Sequence, residues 1–270
     1  MAVPPDDAGW RALIRCGQPQ TWELIAEATG GYVVNRDGVT AAVVPAAPGR
    51  SLFNSVFYDD GDALLESLPD LAAKYEDAGV IAWTVWVPEA DREIAAALDR
   101  AGHALDGQPR DMGMELSTLR DPGPDPALEI VEREDYAMLA RINEIAYGDP
   151  PGGFDVVART KVPDFRTYFG RLGGEDVATV GIAAHRSDAI AEWVAVLPEA
   201  RGRGISGRLL ARALRDAREA GLETTTLQSS PLGFPVYVKL GYRDYGAIQM
   251  WERRRDRQPP PPGSGAQRRD

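Results

Sequence analysis

The sequence predicts an α/β protein of the α+β kind, with two similar domains, each a mixed and mostly antiparallel sheet flanked by helices. Three observations carry this. The second half of the chain reads as three strands, a helix, a strand, a helix and a closing strand. The first half follows an imperfect copy of that plan. Between them lies DPGPDP (121–126), whose prolines and glycine can continue neither a helix nor a central strand. The expected division is therefore a domain over 1–120, a linker over 121–126, a second domain over 127–254 and a tail over 255–270.

In the second half, EREDYAMLARINEIAYG (132–148) has apolar residues at helical spacing and stops at Gly148. FRTYFGRL (165–172) and DVATVGIAAH (176–185) read as strands around a GGE turn, and AIAEWVAV (189–196) as a third strand halted before Pro198. Ile205, Leu209, Leu210, Ala213, Leu214 and Ala217 make one stripe of a helix ending at Gly221. TTTLQSS (224–230) is a strand, PLGFPVYVKLG (231–241) holds a short helix, and YRDYGAIQMWER closes the unit with strands.

In the first half, YVVNRDGVTAAVV (32–44) is a hairpin candidate with a DG turn, LFNSVFY (52–58) a strand and DALLESLPDLAAKYEDAG (62–79) a helix. VIAWTVWV (80–87) is a strand, ADREIAAALDRAG (90–102) a helix and MGMEL (112–116) a strand. Residues 78–103 superpose on 220–242, with Gly79 over Gly221 and Gly102 over Gly241. This reads as an internal duplication. The tail RDRQPPPPGSGAQRRD is Pro/Gly-rich and polar, which is the composition of disorder.

Composition narrows the function. The formal net charge of −11 argues against a nucleic-acid binder and leans toward a cationic acceptor. No apolar run approaches the ~18 residues of a spanning helix, so no membrane partner is expected. Cys16 is the only cysteine, which fits a reducing, cytoplasmic compartment. With Cys16, His103 and His185 far apart, no Cys/His metal site is expected.

Against that acidic background, RGRGISGRLL (201–210) is locally basic. A loop entering a helix presents N–H groups without intrahelical partners, and the helix dipole adds positive charge there. Glycines at 202, 204 and 207 let an anion approach the backbone, and Arg201 and Arg203 add charge-assisted bonds. The stretch reads as a pyrophosphate cradle; a solvated glycine-rich turn is the other reading. GxxxxGK[ST] is absent, and the loop's place after a hairpin-rich run of strands does not suit a dinucleotide fold.

VAVLPEARGRGISG, followed about thirty residues later by VYVKLGY, resembles the GNAT superfamily of acyl-CoA-dependent N-acetyltransferases. The resemblance covers nearly all of the second half. The family pattern Q/R-x-x-G-x-G/A falls on Arg201, Gly204 and Ser206, where serine is a compact departure. The resemblance implies acetyl-CoA as co-substrate, with its pyrophosphate on the N–H groups of Gly202, Arg203, Gly204, Ile205, Ser206 and Gly207. It implies backbone pairing of Val194 and Val196 with the pantetheine arm, direct attack by an amine, and Tyr237 as the acid that protonates the departing thiolate. A phenol of reference pKa ~10 can donate to a thiolate of similar basicity. Ser230 stands where many members place a cofactor-contacting Asn.

A general base must take the amine proton. Strand alternation puts Glu192 on the face of Val194 and Val196, with Trp193 opposite in the core. Glu192 reads equally as a solvent-facing strand carboxylate, and Tyr237 also as a packing residue. In the first half the cradle position falls on FYDDGDALL (57–65), where Asp59, Asp60 and Asp62 would repel a pyrophosphate, and Asp99 stands opposite Tyr237. That half therefore resembles the degenerate half of a tandem GNAT protein. Its aromatics Phe53, Phe57, Trp83 and Trp86 are expected in the core. The leading expectation is an N-acetyltransferase acting on an amine-bearing small molecule or peptide. The alternatives are a non-catalytic acyl-CoA-binding module and transfer to a hydroxyl or a protein lysine. GDPPGGF, within 147–165, is expected to be a mobile wall of the acceptor pocket. Neither the acceptor nor the oligomeric state is written in these motifs.

Overall fold

The computed structural model describes residues 3–256 apart from Asp37, Thr160 and Pro163. Most of the expected tail, 257–270, lies outside the described residues. The chain begins with helix α1 (Asp7–Ala28), then strands β1 (Tyr32–Arg36), β2 (Val39–Val43) and β3 (Ser55–Tyr58), helix α2 (Gly61–Asp77), strand β4 (Ala82–Pro88) and helix α3 (Arg92–Arg100). Strands β5 (Ala104–Gly107) and β6 (Arg110–Glu115) precede the 121–126 segment. After it come β7 (Leu128–Glu132), α4 (Tyr136–Tyr147), the short α5 (Asp155–Ala158), β8 (Phe165–Leu172), β9 (Glu175–His185) and β10 (Asp188–Val196). Helix α6 (Ile205–Glu219), β11 (Thr224–Ser229), α7 (Phe234–Leu240) and the long β12 (Arg243–Arg254) complete the fold.

The expected elements form, and their glycine ends share a cause. Gly79 and Gly102 close α2 and α3 at φ +74° and +86°, and Gly221 and Gly241 close α6 and α7 at +93° and +112°. Each needs the left-handed region that glycine reaches without a Cβ clash. The duplicated pattern thus has a backbone counterpart. Counting back from Gly102 and Gly241 sets Tyr237 against the fully buried Leu98 rather than Asp99, a shift of one residue.

The strands form one continuous sheet in the order β1-β2-β3-β4-β12-β6-β11-β10-β9-β8-β7, with β5 added on β12. Two neighbouring pairs are parallel, β3 with β4 and β10 with β11; the others are antiparallel. The 121–126 segment interrupts the chain but not the sheet. Strand β6 of the first half pairs β11 from Arg110 to Glu115. The end of β12 pairs β4 from Ala82 to Pro88. Each half therefore receives its neighbouring central strand from the other.

Helix α1 is absent from the sequence expectation, because Gly17, Gln18 and Pro19 interrupt its helical signal. Trp10, Leu13, Ile14, Gly17, Trp22, Ile25 and Ala26 nevertheless bury one stripe of it. With α4 and α5 it covers one face of the sheet, where a single core joins Trp22, Phe53, Phe57 and Trp86 to Leu139, Phe154 and Phe169. The opposite face is covered separately, by α2 and α3 in the first half and by α6 and α7 in the second. The first-half aromatics are core residues, with Phe53 at 0% and Trp83 at 4% exposure. No described helix is long and apolar enough to cross a membrane.

Candidate active site

The parallel pair β10–β11 holds together for three residues only: Asp188 beside Thr224, Ala189 beside Thr225 and Ile190 beside Thr226. Its closed end is pinned by Asp188, which is fully buried and accepts from Thr224 Oγ1 at 2.7 Å and Thr226 Oγ1 at 2.5 Å. Burial pushes the Asp188 carboxyl up to about 6, and the two hydroxyls partly oppose it. Beyond Ile190 the strands part, and β10 runs on to Val196 unpaired on that side. Open α/β sheets bind ligands at such strand ends.

On this open edge, the Val194 carbonyl accepts from Tyr147 Oη at 3.1 Å and the Val196 carbonyl from Arg201 Nε at 3.2 Å. Arg201 also reaches the Ala146 carbonyl at 2.6 Å, at the end of α4. Its guanidinium is thus committed to backbone carbonyls rather than pointing freely from the loop. Arg203 is exposed, and its carbonyl accepts from Arg208 Nη1 at 3.3 Å. Gly202 and Gly204 sit at φ +78° and +72°. Gly204 is the N-cap of α6, and no side chain caps that helix. Ile205 is buried in the core and Gly207 is buried, while Ser206 is half-buried at the start of the first turn. Ser230 lies at the other lip of the opening, where its hydroxyl accepts from Gly233 N at 3.2 Å and steadies the entry to α7.

Tyr237 is 6% exposed. Its ring lies so close to Gly233 that a Cβ there would meet it at 2.7 Å. Its centroid is 5.8 Å from that of Tyr242. Burial, then Tyr147 and Tyr242, hold the Tyr237 phenol well above its usual range, so it keeps its proton across neutral pH.

Strand alternation fails at Glu192. A β-bulge separates the pairs Glu192–Gly181 and Ala195–Thr179, so three steps on β10 match two on β9. Trp193 takes φ +56°, a strained setting for a bulky residue. Glu192 consequently faces the α1 and α4 side with Ala195 and Trp193, opposite to the expectation that paired it with Val194 and Val196. Trp193 stacks on Phe53 at 6.1 Å and meets Phe154 edge-on at 5.1 Å, which holds the bulge in place. Burial pushes the Glu192 carboxyl up to about 7, with Thr21 of α1 and Trp193 pulling the other way. Because the sheet is open here, groups on its two faces communicate through the gap. Tyr147 senses Glu192 electrostatically, and Tyr237 senses Tyr147.

The segment expected to be a mobile wall is anchored where it is described. Asp149 receives both Nη atoms of Arg50, at 2.7 and 2.8 Å, across the junction of the two halves. Phe154 N donates to Glu144 Oε1 at 2.8 Å, and the Phe154 ring is 3% exposed. Tyr147 and Thr21 join the site without having been singled out in sequence. Tyr147 lies inside the α4 pattern, and Thr21 on a helix that leaves no clear signal.

Residues 163–244 match the family model of the acetyltransferase (GNAT) domain. A comparison with curated proteins finds no match. Among solved structures, a GCN5-related N-acetyltransferase from Kribbella flavida superposes with a TM-score of 0.69 at 16% identity, over 89% of this chain and 95% of that one. A GCN5-related N-acetyltransferase from Sphaerobacter thermophilus gives 0.56 at 16% identity, over 89% and 93%. A tandem GNAT protein from the clavulanic acid biosynthesis pathway gives 0.54 at 15% identity, over 82% and 79%. At these identities the structures speak to fold alone: residues 163–244 match the acetyltransferase (GNAT) domain model, and the fold of the chain is similar to that of whole GCN5-related N-acetyltransferases.

Proposed function

We propose that the protein transfers an acetyl group from acetyl-CoA to an amine-bearing small molecule or peptide. The observation that carries this is the conjunction of an uncapped α6 N-terminus, with glycine at its entry, and an unpaired β10 edge leading away from it. The first suits a pyrophosphate, since free N–H groups and the dipole meet there and Gly204 brings no side chain. The second suits an extended arm that adds to the strand at Val194 and Val196, taking the place of Tyr147 and Arg201 on their carbonyls. Acetyl-CoA supplies the thioester, whose C–S bond breaks as the C–N bond forms.

The remaining work falls to the chain. Glu192, with its carboxyl near 7, is partly ionised at neutral pH and takes the proton the amine gives up. Tyr237, which stays protonated, supplies a proton to the thiolate sulfur. The two stand on opposite faces of the sheet, so proton removal and proton delivery meet only through the gap between β10 and β11. A backbone N–H near Val196 polarises the acetyl carbonyl as it gains charge. The first half, with carboxylates at its own cradle position, is read as the non-binding copy.

Calorimetric titration of acetyl-CoA tests this reading. One site per chain in the wild type, lost in Gly204→Asp, is the expected result. No binding to the wild type removes the reading altogether. Binding without turnover of any amine favours the non-catalytic module instead.

A further inference from the structure

The open edge of β10 carries two carbonyls, and side chains occupy both. Leu197 N donates back to Val177 of β9 at 2.9 Å. By strand alternation the carbonyls of Val194 and Val196 therefore point away from β9, toward the splay. Val194 accepts there from Tyr147 Oη at 3.1 Å, and Val196 from Arg201 Nε at 3.2 Å. These are the acceptors that a strand-like arm would need in order to pair with β10.

The two occupants meet at the end of α4. Tyr147 is the last residue of that helix, and Arg201 Nη2 donates to the carbonyl of its neighbour Ala146 at 2.6 Å. The last turn of α4 has no basic residue of its own. Arg201 supplies, from the cradle loop, the cation that a helix C-terminus favours. Behind Tyr147 the chain turns through Gly148 at φ +72°, and Arg50 of the first half holds the next residue, Asp149, by both Nη atoms. The end of α4 is thus anchored on one side and clipped to β10 on the other. The clips lie at the surface: Tyr147 is 57% exposed, and Arg201 is exposed. Hydrogen bonds so placed exchange for others at small cost.

We propose that Tyr147 and Arg201 form a latch that closes the β10 edge, and that acetyl-CoA opens it from the pyrophosphate end. Arg201 can serve the carbonyls of Val196 and Ala146 or a pyrophosphate at the start of α6. Charge-assisted bonds to phosphate are the stronger of the two. Its transfer bares the Val196 carbonyl and removes the tie on Ala146. Tyr147 then yields Val194 to the arm. A ligand with a pyrophosphate but no arm makes no use of the Val194 carbonyl. This rests on the acetyl-CoA reading given above and adds to it how access to that site is controlled.

The test uses the full chain and the variant Tyr147→Phe, which keeps the ring and loses the bonding atom. A site that is open for a fraction of the time has its affinity reduced by that fraction. The variant is therefore expected to bind acetyl-CoA about three- to tenfold more tightly than the wild type by calorimetry. Stopped-flow mixing should place the gain in the association rate, with the dissociation rate unchanged. ADP, which carries the pyrophosphate without the arm, should bind the variant no more tightly than the wild type. The melting temperature should hold, because only a surface hydroxyl is removed.

Equal or weaker affinity of the variant for acetyl-CoA overturns the proposal, since a hydroxyl that merely contacts the arm would be missed. A gain that lies in the dissociation rate assigns the effect to a new contact of the ring and likewise overturns it. So does an equal gain for ADP, which would place the effect at the cradle. Failure of the wild type to bind acetyl-CoA is a different result, since it removes the acetyltransferase reading and the latch together.

Discussion

Helices α2 and α6 occupy equivalent places in the two halves: each follows a strand, precedes that strand's parallel partner and ends before a left-handed glycine. Their N-termini differ. Asp60 caps α2, its Oδ1 accepting from the N–H groups of Asp62 and Ala63 at 2.9 and 3.0 Å. Gly204 begins α6 with no side chain on those groups. The same positive helix end is neutralised internally in one half and left available in the other. A cap and an anion site are therefore competing uses of one set of donors.

Gly204→Asp should have the largest effect, because it puts a carboxylate at the start of α6 as Asp60 does at α2, though on a backbone at φ +72° instead of −124°. Asp tolerates the left-handed region better than most residues. The crowding it meets at 2.6 Å is the movable end of Arg208. The fold should survive, with a melting temperature within a few degrees of wild type, while acetyl-CoA affinity falls by about two orders of magnitude or more. Retained affinity would show that the helix start is not the anion site.

Tyr237→Phe should come next, lowering kcat about a hundredfold while the acetyl-CoA Kd measured by calorimetry stays put. Its counterpart Leu98 is already apolar, so this change makes the second half resemble the first at a second point. An unaltered kcat would reduce Tyr237 to a packing residue.

Glu192→Gln separates chemistry from stability. If Glu192 is the base, wild-type kcat/KM rises with pH through about 7 and levels above it, and the variant loses that limb. Stability should move the other way. A carboxyl raised from 4.5 to about 7 on folding binds its proton more tightly in the folded chain. Its presence therefore lowers stability as pH rises from about 4.5 to about 7. The variant should gain on the order of 1–3 kcal/mol at pH 8 and little at pH 4, by denaturant melts. An unchanged pH–rate profile would assign the base elsewhere.

Asp60→Ala is the smallest. Loss of the α2 cap should cost about 1 kcal/mol and lower the melting temperature by roughly 2–4 °C. The number of acetyl-CoA sites should remain one, since an emptied helix start in the first half still lacks the rest of the site.

Much of this was legible in the sequence where the signal is local. The apolar stripe from Ile205 to Ala217 and the glycine stops at 79, 102, 221 and 241 are consequences of short-range geometry, and they appear as expected. The loop from Arg201 to Gly207 leads into a helix, as its glycines suggest. What escaped is non-local or irregular. One extra residue at Trp193 reverses the side on which Glu192 stands, and period-two reasoning carries no warning of it. Helix α1 hides behind Gly17 and Pro19. Arg201 carries the charge expected of it, but carbonyls of β10 and α4 take up its guanidinium.

The exchange of strands has a consequence for the order in which the protein is made. Strand β4 finds its partner in β12, more than 150 residues later along the chain. A ribosome therefore releases the first half with this edge of β4 still bare, and with β5 and β6 lacking their partners β11 and β12, until Arg254 emerges. Until then β4 offers unpaired N–H and C=O groups beside an apolar surface, the circumstance in which a growing chain pairs with the wrong neighbour. A protein cut between α7 and β12 would not yield two working pieces, since the cut would strip a central strand from the half that lies far from it in sequence.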